Sequence, residues 1–178
     1  QPRQGGFIKL NTNENPYPPA PLVLERLLEA CDASLRTYPD PEAKNVRSRL
    51  GELFGVTPES TLVGNGSDEL LNIILRSFVA PGDRVAYPYP TYGYYDTLSA
   101  IQGAQTVKID FPPDYSLPPS LAEAEAKVTF VANPNAPSGT LIATEVLDRL
   151  AARLPGLLVI DEAYVDFSDG GSIDQIGR

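Results

Sequence analysis

The sequence contains no histidine, no methionine, no tryptophan and one cysteine, Cys31. Without histidine, the 178 residues cannot assemble a Ser-His-Asp triad, and zinc sites built from histidine or a cysteine cluster are excluded. A single cysteine cannot form an internal disulfide, which is typical of a reducing compartment. We therefore expect no metal site and a cytoplasmic location. Any acid or base must be a carboxylate, a lysine, a tyrosine or part of a cofactor.

Basic residues are also scarce: the sequence has 14 Lys and Arg against 23 Asp and Glu, which gives a net charge of -9. No basic stripe occurs, so we expect no nucleic-acid partner. No apolar run approaches the length of a membrane span and no signal peptide opens the chain, so we expect no membrane association. The missing initial methionine and the polar, glycine-rich final stretch DGGSIDQIGR lead us to expect a piece of a longer protein.

Strand-like runs alternate with amphipathic segments through most of the chain. Strands are predicted in STLVGN, PGDRVAYP, QTVKIDF, KVTFVANP and LLVIDEAY, the last buried on both faces. Helices are predicted around residues 24–31, 46–54 and 92–102 and in ATEVLDRLAARL. Another is predicted in SDELLNIILRSF, which is apolar on most sides and should be deeply buried. This alternation predicts an α/β domain with a largely parallel sheet and helices on both faces.

Three polar stretches follow predicted strands: GNGSDE, NPNAPSG and DEAY. Ligands of open α/β sheets bind beyond the carboxyl ends of the strands, so one site could draw on all three. In GNGSDE, the amides of the following helix form an anion site, although an ordinary cap by Ser67 or Asp68 is an alternative. Dinucleotide and Walker patterns both fail, because Glu69 replaces the third glycine and no Lys-Ser or Lys-Thr pair follows.

Asp161 ends the apolar run LLVI, where a carboxylate is costly to bury without a positive or hydrogen-bonding partner. The alternative is an acid at a strand end that faces water. The stretch YPYPTYGYYD offers flat rings for stacking, although packing explains most of its tyrosines. NPNAPSG offers amide donors. A phosphate-binding turn, an aromatic ring, amide donors and a carboxylate together match the parts of pyridoxal phosphate. A carboxylate beside the pyridine nitrogen of this cofactor keeps that nitrogen protonated, and the protonated ring acts as an electron sink.

The chain resembles the fold-type I pyridoxal-phosphate aminotransferases, and more narrowly the histidinol-phosphate aminotransferase family. The resemblance rests on LNTNENPYPP, RTYPDP, GNGSDELL, YPYPTYGYY, NPNAPSGT and VIDEAYVDF, in the family's order and over nearly the whole chain. It implies an N-terminal arm and helix over residues 1–36 and, over residues 37–178, part of the pyridoxal-phosphate-binding large domain, incomplete at its C-terminal end. It also implies a homodimer that transfers an amino group between histidinol phosphate, an amino-acid-like phosphate, and a 2-oxo acid, 2-oxoglutarate, in histidine biosynthesis.

The resemblance assigns roles to individual residues. At the cofactor, it implies Gly66, Ser67 and Asp68 at the phosphate, Tyr92 on the ring, Asp161 at the ring nitrogen and Tyr164 at the phenolic oxygen. Tyr38 would reach the cofactor phosphate of a partner subunit, and Asn13 and Glu14 would lie near the substrate.

Two departures from the family pattern accompany these roles. Ala136 stands where an asparagine usually contacts the phenolic oxygen, which leaves Asn135 or Asn133 to replace that contact. The family's Schiff-base lysine lies in a Ser-Lys motif, which is expected beyond residue 178 together with the substrate-binding arginines. The lysines present match no such motif: Lys9, Lys44, Lys108 and Lys127. We therefore expect no catalytic residue in this chain and no activity from it alone.

Two other functions remain open. One is a related pyridoxal-phosphate enzyme, either an amino-acid-phosphate decarboxylase or an aromatic aminotransferase. The other is a non-catalytic binding or regulatory module that lacks the Schiff-base lysine.

Overall fold

A computed structural model of the chain describes residues 12–173, which divide after Glu42 into two compact units. In the first unit, α1 (Pro21–Glu29) begins with a proline, whose fixed φ suits the first helical turn and whose missing N–H has no partner to lose there. A 3-10 helix follows at Ala33–Arg36. The helix predicted around residues 24–31 is confirmed, but its apolar side chains are exposed, with Leu28 76% exposed. The predicted domain division after residue 36 stays a prediction.

The second unit is built on a four-stranded sheet in the order β2-β1-β3-β4, in which every pairing is parallel. Its strands are β1 (Arg84–Tyr89), β2 (Gln105–Asp110), β3 (Val128–Ala132) and β4 (Leu157–Asp161). Its α-helices are α2 (Lys44–Phe54), α3 (Ser67–Phe78), α4 (Tyr94–Gln102) and α5 (Thr144–Ala151). No helix within residues 12–173 is long and apolar enough to span a membrane.

Side chains of neighbouring strand residues point to opposite faces of the sheet, and each face carries its own core. On one face, Val85 and Tyr87 of β1 and Phe130 of β3 pack with apolar residues of α3 and α4. On the other, Ala86 and Val131 pack with apolar residues of α5 and of the segment around Leu121. The predicted α/β fold, with a parallel sheet and helices on both faces, is confirmed.

Three details of the prediction were wrong. The segment STLVGN forms no strand, because no described strand lies beside it to complete a ladder, and Leu62 is exposed. The helix α3 is not deeply buried, because it meets the core along one side through Leu71 and Leu75 while Phe78 is 51% exposed. The strand β4 is only half-buried, because within the described residues it is an edge strand with β3 as its one neighbour.

Gly156 leads into β4 at a point where no side chain fits. A Cβ there would lie 2.4 Å from the carbonyl oxygens of both Ala126 and Lys127. Backbone pairing at the entrance to the sheet holds the Lys127 carbonyl, since the Leu157 N–H donates to its oxygen at 3.0 Å. The absence of a Cβ at residue 156 is therefore what lets the segment before β4 approach the segment before β3.

We predict that Gly156→Ala lowers the free energy of unfolding by about 1–3 kcal/mol, because the added methyl group forces the backbone of β4 away from β3. Gly93→Ala is the matched control: a Cβ at Gly93 meets nothing within 4 Å and its φ of -66° suits any residue. Denaturant unfolding of the purified variants measures both changes. Equal stability of the two variants would contradict the proposed clash.

Candidate active site

A cavity opens at the carboxyl ends of β3 and β4, beside the N-terminus of α3. Its lining residues come from the start of α3, from the segment before α4, from the last positions of β3 and β4 and from the loops that follow these strands. They are Ser67, Asp68, Tyr92, Ala132, Pro134, Ala136, Asp161, Ala163 and Tyr164. No lysine or arginine is among them, so this lining carries two carboxylates and no fixed positive side chain.

The N-terminus of α3 supplies backbone donors to the cavity. Gly66, the residue before the helix, has a φ of +80°, which favours glycine. No side chain of the described residues caps this first turn, so the predicted alternative of a cap by Ser67 or Asp68 is wrong. The Glu69 carboxylate instead accepts a hydrogen bond from the Asn65 N–H at 2.5 Å, in the turn before the helix. The amides that open α3, together with the helix dipole, can therefore bind an anion.

Asp161 lies at the last position of β4, and its carboxylate is held at both oxygens. Oδ2 accepts a hydrogen bond from the hydroxyl of Tyr95 at 2.8 Å, and Oδ1 accepts one from the Ala163 N–H at 3.2 Å. The side chain is half-buried and forms no ion pair with any described lysine or arginine. The carboxylate is thus oriented by neutral donors and can still meet a positive group in the cavity.

Tyr92 places a ring at the cavity and is fixed by its hydroxyl. That hydroxyl donates to Asp68 Oδ1 at 3.0 Å, and the ring makes a T-shaped contact with that of Tyr95 at a centroid distance of 5.7 Å. Burial, followed by the acceptor and charge of Asp68, raises the pKa of Tyr92 to about 12. The phenol is therefore a neutral donor at any physiological pH, and it satisfies a carboxylate that lies beside the anion-binding turn.

The asparagine side chains of the loop after β3 form hydrogen bonds within the loop and to the segment before α4. The Asn135 side chain accepts from the Thr91 hydroxyl at 2.7 Å and donates to the Ser138 hydroxyl at 2.9 Å. The Asn133 side chain pairs with the backbone of Ile142 at 2.7 and 3.1 Å. Both amides are thus engaged, Asn133 within the loop and Asn135 with the loop and with the segment before α4. Pro134 and Ala136 are the loop residues that line the cavity.

The structure brings Ser67, Asp68, Tyr92, Asp161 and Tyr164 to one cavity, while the roles assigned to them at a cofactor stay predictions. Gly66 lines an adjoining apolar cavity that also includes Asp161. Asn135 and Asn133 do not line the main cavity, and their roles at a ligand stay predictions. The same holds for the residues of the first unit: Asn13, Glu14 and Tyr38, the last fully exposed within the chain.

None of the described lysines lines the cavity. Lys44 begins α2, and Lys108 lies within β2, where it forms an ion pair with Asp96 at 2.7 Å. Lys127 directly precedes β3, at the end of the strand opposite the cavity. Lys9 lies outside the described residues.

Sequence reasoning missed Tyr95 as a residue of this site. It stands among five tyrosines, and its packing within α4 gave no reason to single it out. The available signal was chemical: a buried tyrosine hydroxyl needs an acceptor, and the acid at the end of LLVI was a candidate.

Comparisons with known proteins place the chain among enzymes of one kind. The family model described as "Aminotransferase class I and II" matches residues 6–177. A histidinol-phosphate aminotransferase from Trichormus variabilis is 44% identical over 98% of this chain and 50% of its own length. Another, from Geotalea uraniireducens, is 42% identical over 97% of this chain and 50% of its own length. The chain thus spans about half the length of these curated relatives.

Solved structures of aminotransferases share the fold of this chain. The crystal structure of histidinol-phosphate aminotransferase from Sinorhizobium meliloti in complex with pyridoxal-5'-phosphate matches with a TM-score of 0.79 and 29% identity, over 84% of this chain and 42% of that chain. A mutant of Thermus thermophilus aspartate aminotransferase matches with a TM-score of 0.76 and 28% identity, over 85% of this chain and 46% of that chain.

Proposed function

The chain belongs to the class I and II aminotransferases, and from that premise we propose that the full-length protein is a pyridoxal-phosphate-dependent histidinol-phosphate aminotransferase. Two relatives at 42% and 44% identity carry that name, and a structural neighbour contains the cofactor. We propose 2-oxoglutarate as the amino acceptor, a role in histidine biosynthesis and a cytoplasmic location. These 178 residues would supply much of the cofactor site.

The observation that supports this proposal most is the cavity at the ends of β3 and β4. An uncapped helix N-terminus, a fixed aromatic ring and an oriented carboxylate meet there, which fits the phosphate, ring and ring nitrogen of pyridoxal phosphate. We propose that the amides of Gly66, Ser67 and Asp68 hold the phosphate and that Tyr92 stacks on the ring. When bound, the cofactor supplies a ring that accepts electrons from the substrate carbon.

Asp161 is proposed to hold the proton on the ring nitrogen. An anionic carboxylate favours the protonated form of a neighbouring base, and protonation strengthens the ring as an electron acceptor. Tyr164, which lines the same cavity, is proposed to bind the phenolic oxygen. Because Ala136 has no side-chain donor and the side-chain amides of Asn133 and Asn135 are engaged elsewhere, the Tyr164 hydroxyl would bear most of the side-chain contact with that oxygen.

We predict that the full-length protein forms glutamate from 2-oxoglutarate and histidinol phosphate, and that Asp161→Asn slows this reaction on the order of 10²-fold or more. The amide cannot stabilise a protonated ring nitrogen as a carboxylate does. Asp166→Asn is the control, because it removes one exposed acid five residues further along that lies outside the cavity. Coupled detection of glutamate measures both rates.

Near-normal turnover by Asp161→Asn would contradict the role of the carboxylate. Glutamate formed from an aromatic amino acid but not from histidinol phosphate would instead favour an aromatic aminotransferase. Release of carbon dioxide from an amino-acid phosphate would favour a decarboxylase, and the absence of any turnover would favour a non-catalytic module.

We further propose a homodimer in which Tyr38 completes the partner's site. Tyr38 is fully exposed within the chain, on a proline-rich segment of the first unit, which suits a contact with another molecule. We predict that Tyr38→Ala and Asp161→Asn are each nearly inactive alone and that co-expression restores about a quarter of the parent activity, because half of random dimers are hybrids with one intact site. A monomer by light scattering, or no restoration, would contradict this arrangement.

We predict that the 178 residues alone do not catalyse transamination, because none of the described lysines lines the cavity and such enzymes need a lysine amine to hold the cofactor and move a proton. The test is borohydride trapping of added pyridoxal phosphate on this chain, followed by mapping of any labelled lysine, including Lys9. A single stoichiometric label together with turnover of an amino donor would contradict the prediction.

A further inference from the structure

Tyr95 links the interior of the domain to the carboxylate at the cavity. It lies in α4 with no exposed surface, and its ring stacks on that of Phe130 of β3 at a centroid distance of 4.8 Å and an interplanar angle of 8°. Its hydroxyl reaches across to β4 and donates to Asp161 Oδ2 at 2.8 Å. A rigid, buried residue thus holds a side chain that lines the cavity.

Tyr95 also contacts Tyr92, the cavity residue that is proposed to stack on the ring of the cofactor. The Tyr92 ring stands at 89° to that of Tyr95, in an edge-to-face arrangement. Tyr95 itself is not among the lining residues. It therefore touches Asp161 and Tyr92 from behind, where it can set their positions without touching a ligand.

We infer that Tyr95 is a positioning residue for Asp161, which fixes the rotation of the carboxylate so that its remaining lone pairs are held toward the cavity. This inference rests on the proposed function, in which Asp161 meets a protonated ring nitrogen. A carboxylate with both oxygens anchored, by Tyr95 and by the Ala163 N–H, loses little freedom on meeting that nitrogen. Such preorganisation is what makes an electrostatic interaction effective in a site.

The electrostatics of the pair keep this donor in place. Burial, followed by the negative charge of Asp161, raises the pKa of the Tyr95 phenol far above its ordinary value. Ionisation would set two negative charges together in the interior, so the hydroxyl stays neutral through the working pH range. The Asp161 carboxylate therefore keeps its donor at every pH at which the protein operates.

Tyr87 offers a matched control in the same core. It is buried, its ring lies 5.6 Å from that of Tyr95, and its hydroxyl also donates to an aspartate, Asp96. Asp96 lies outside the cavity and is paired with Lys108. Tyr87→Phe and Tyr95→Phe thus each remove one buried hydroxyl and one hydrogen bond to an aspartate, but only Tyr95→Phe affects a carboxylate at the site.

The experiment compares Tyr95→Phe and Tyr87→Phe in the full-length protein, loaded with pyridoxal phosphate labelled at the ring nitrogen. We expect Tyr95→Phe to move the NMR signal of that nitrogen toward its unprotonated value and to lower kcat about tenfold to a hundredfold with little change in KM, in line with one lost hydrogen bond to a charged group. Tyr87→Phe should leave the nitrogen signal unchanged. The same signal in the parent and in Tyr95→Phe, or the same change in both variants, would overturn the inference.

A second comparison, made in the Asp161→Ala variant, distinguishes a loss of carboxylate orientation from a general disruption of the fold. In Asp161→Ala there is no carboxylate to orient, so adding Tyr95→Phe should change neither the nitrogen signal nor the cofactor affinity. An undiminished effect of Tyr95→Phe in that background would show that Tyr95 acts otherwise and would overturn the inference. A parent protein that binds no pyridoxal phosphate would instead refute the proposed function, and the two failures are thereby distinguished.

Discussion

The burial of β3 is the constraint on which the rest of the second unit depends. All five of its residues are buried, with a parallel neighbour on each side and a helical core against each face. Such a strand satisfies its backbone only through both neighbours, so its register fixes theirs. Ala132 pairs with Asp161, and the Asn133 N–H donates to the Asp161 carbonyl at 2.8 Å. The loop after β3 and the acid at the end of β4 are thereby brought to one place.

The cavity that results is acidic, and neutral hydrogen-bond donors stabilise its carboxylates. Asp68 and Asp161 line it, and no lysine or arginine is among the described lining residues. Each carboxylate accepts a hydrogen bond from a tyrosine, Tyr92 and Tyr95 respectively. Phenols stabilise a carboxylate without neutralising it, since their own ionisation is suppressed by burial and by the acid they contact. A positive group on a ligand therefore meets an intact negative charge, and the uncapped turn of α3 remains available to a phosphate.

The stretch YPYPTYGYYD supplies tyrosines both to the core of the domain and to the cavity. Tyr87 and Tyr95 are core residues, whereas Tyr92 faces the cavity, and contacts between their rings join the two sets. Sequence reasoning treated most of these tyrosines as packing, which holds for Tyr87. It does not hold for Tyr95, because one side chain both packs and orients an acid. A residue type alone cannot separate these roles when the acceptor lies 66 residues away along the chain.

The amino-acid sequence by itself determined the alternation of strands and helices, the turn GNGSDE before α3 and the placement of Asp161 at a strand end, because periodicity and turn chemistry are local. Tertiary structure decided what depends on neighbours. Within the described residues, it left STLVGN without a partner strand and placed β4 at the edge of the sheet. It also engaged Asn133 within its own loop and Asn135 with both that loop and Thr91. Neighbouring elements determine whether an apolar run is buried, whether a side-chain amide is free to bind a ligand and which donor contacts an acid. A hydrogen bond between distant segments leaves no periodic pattern in the sequence of either segment.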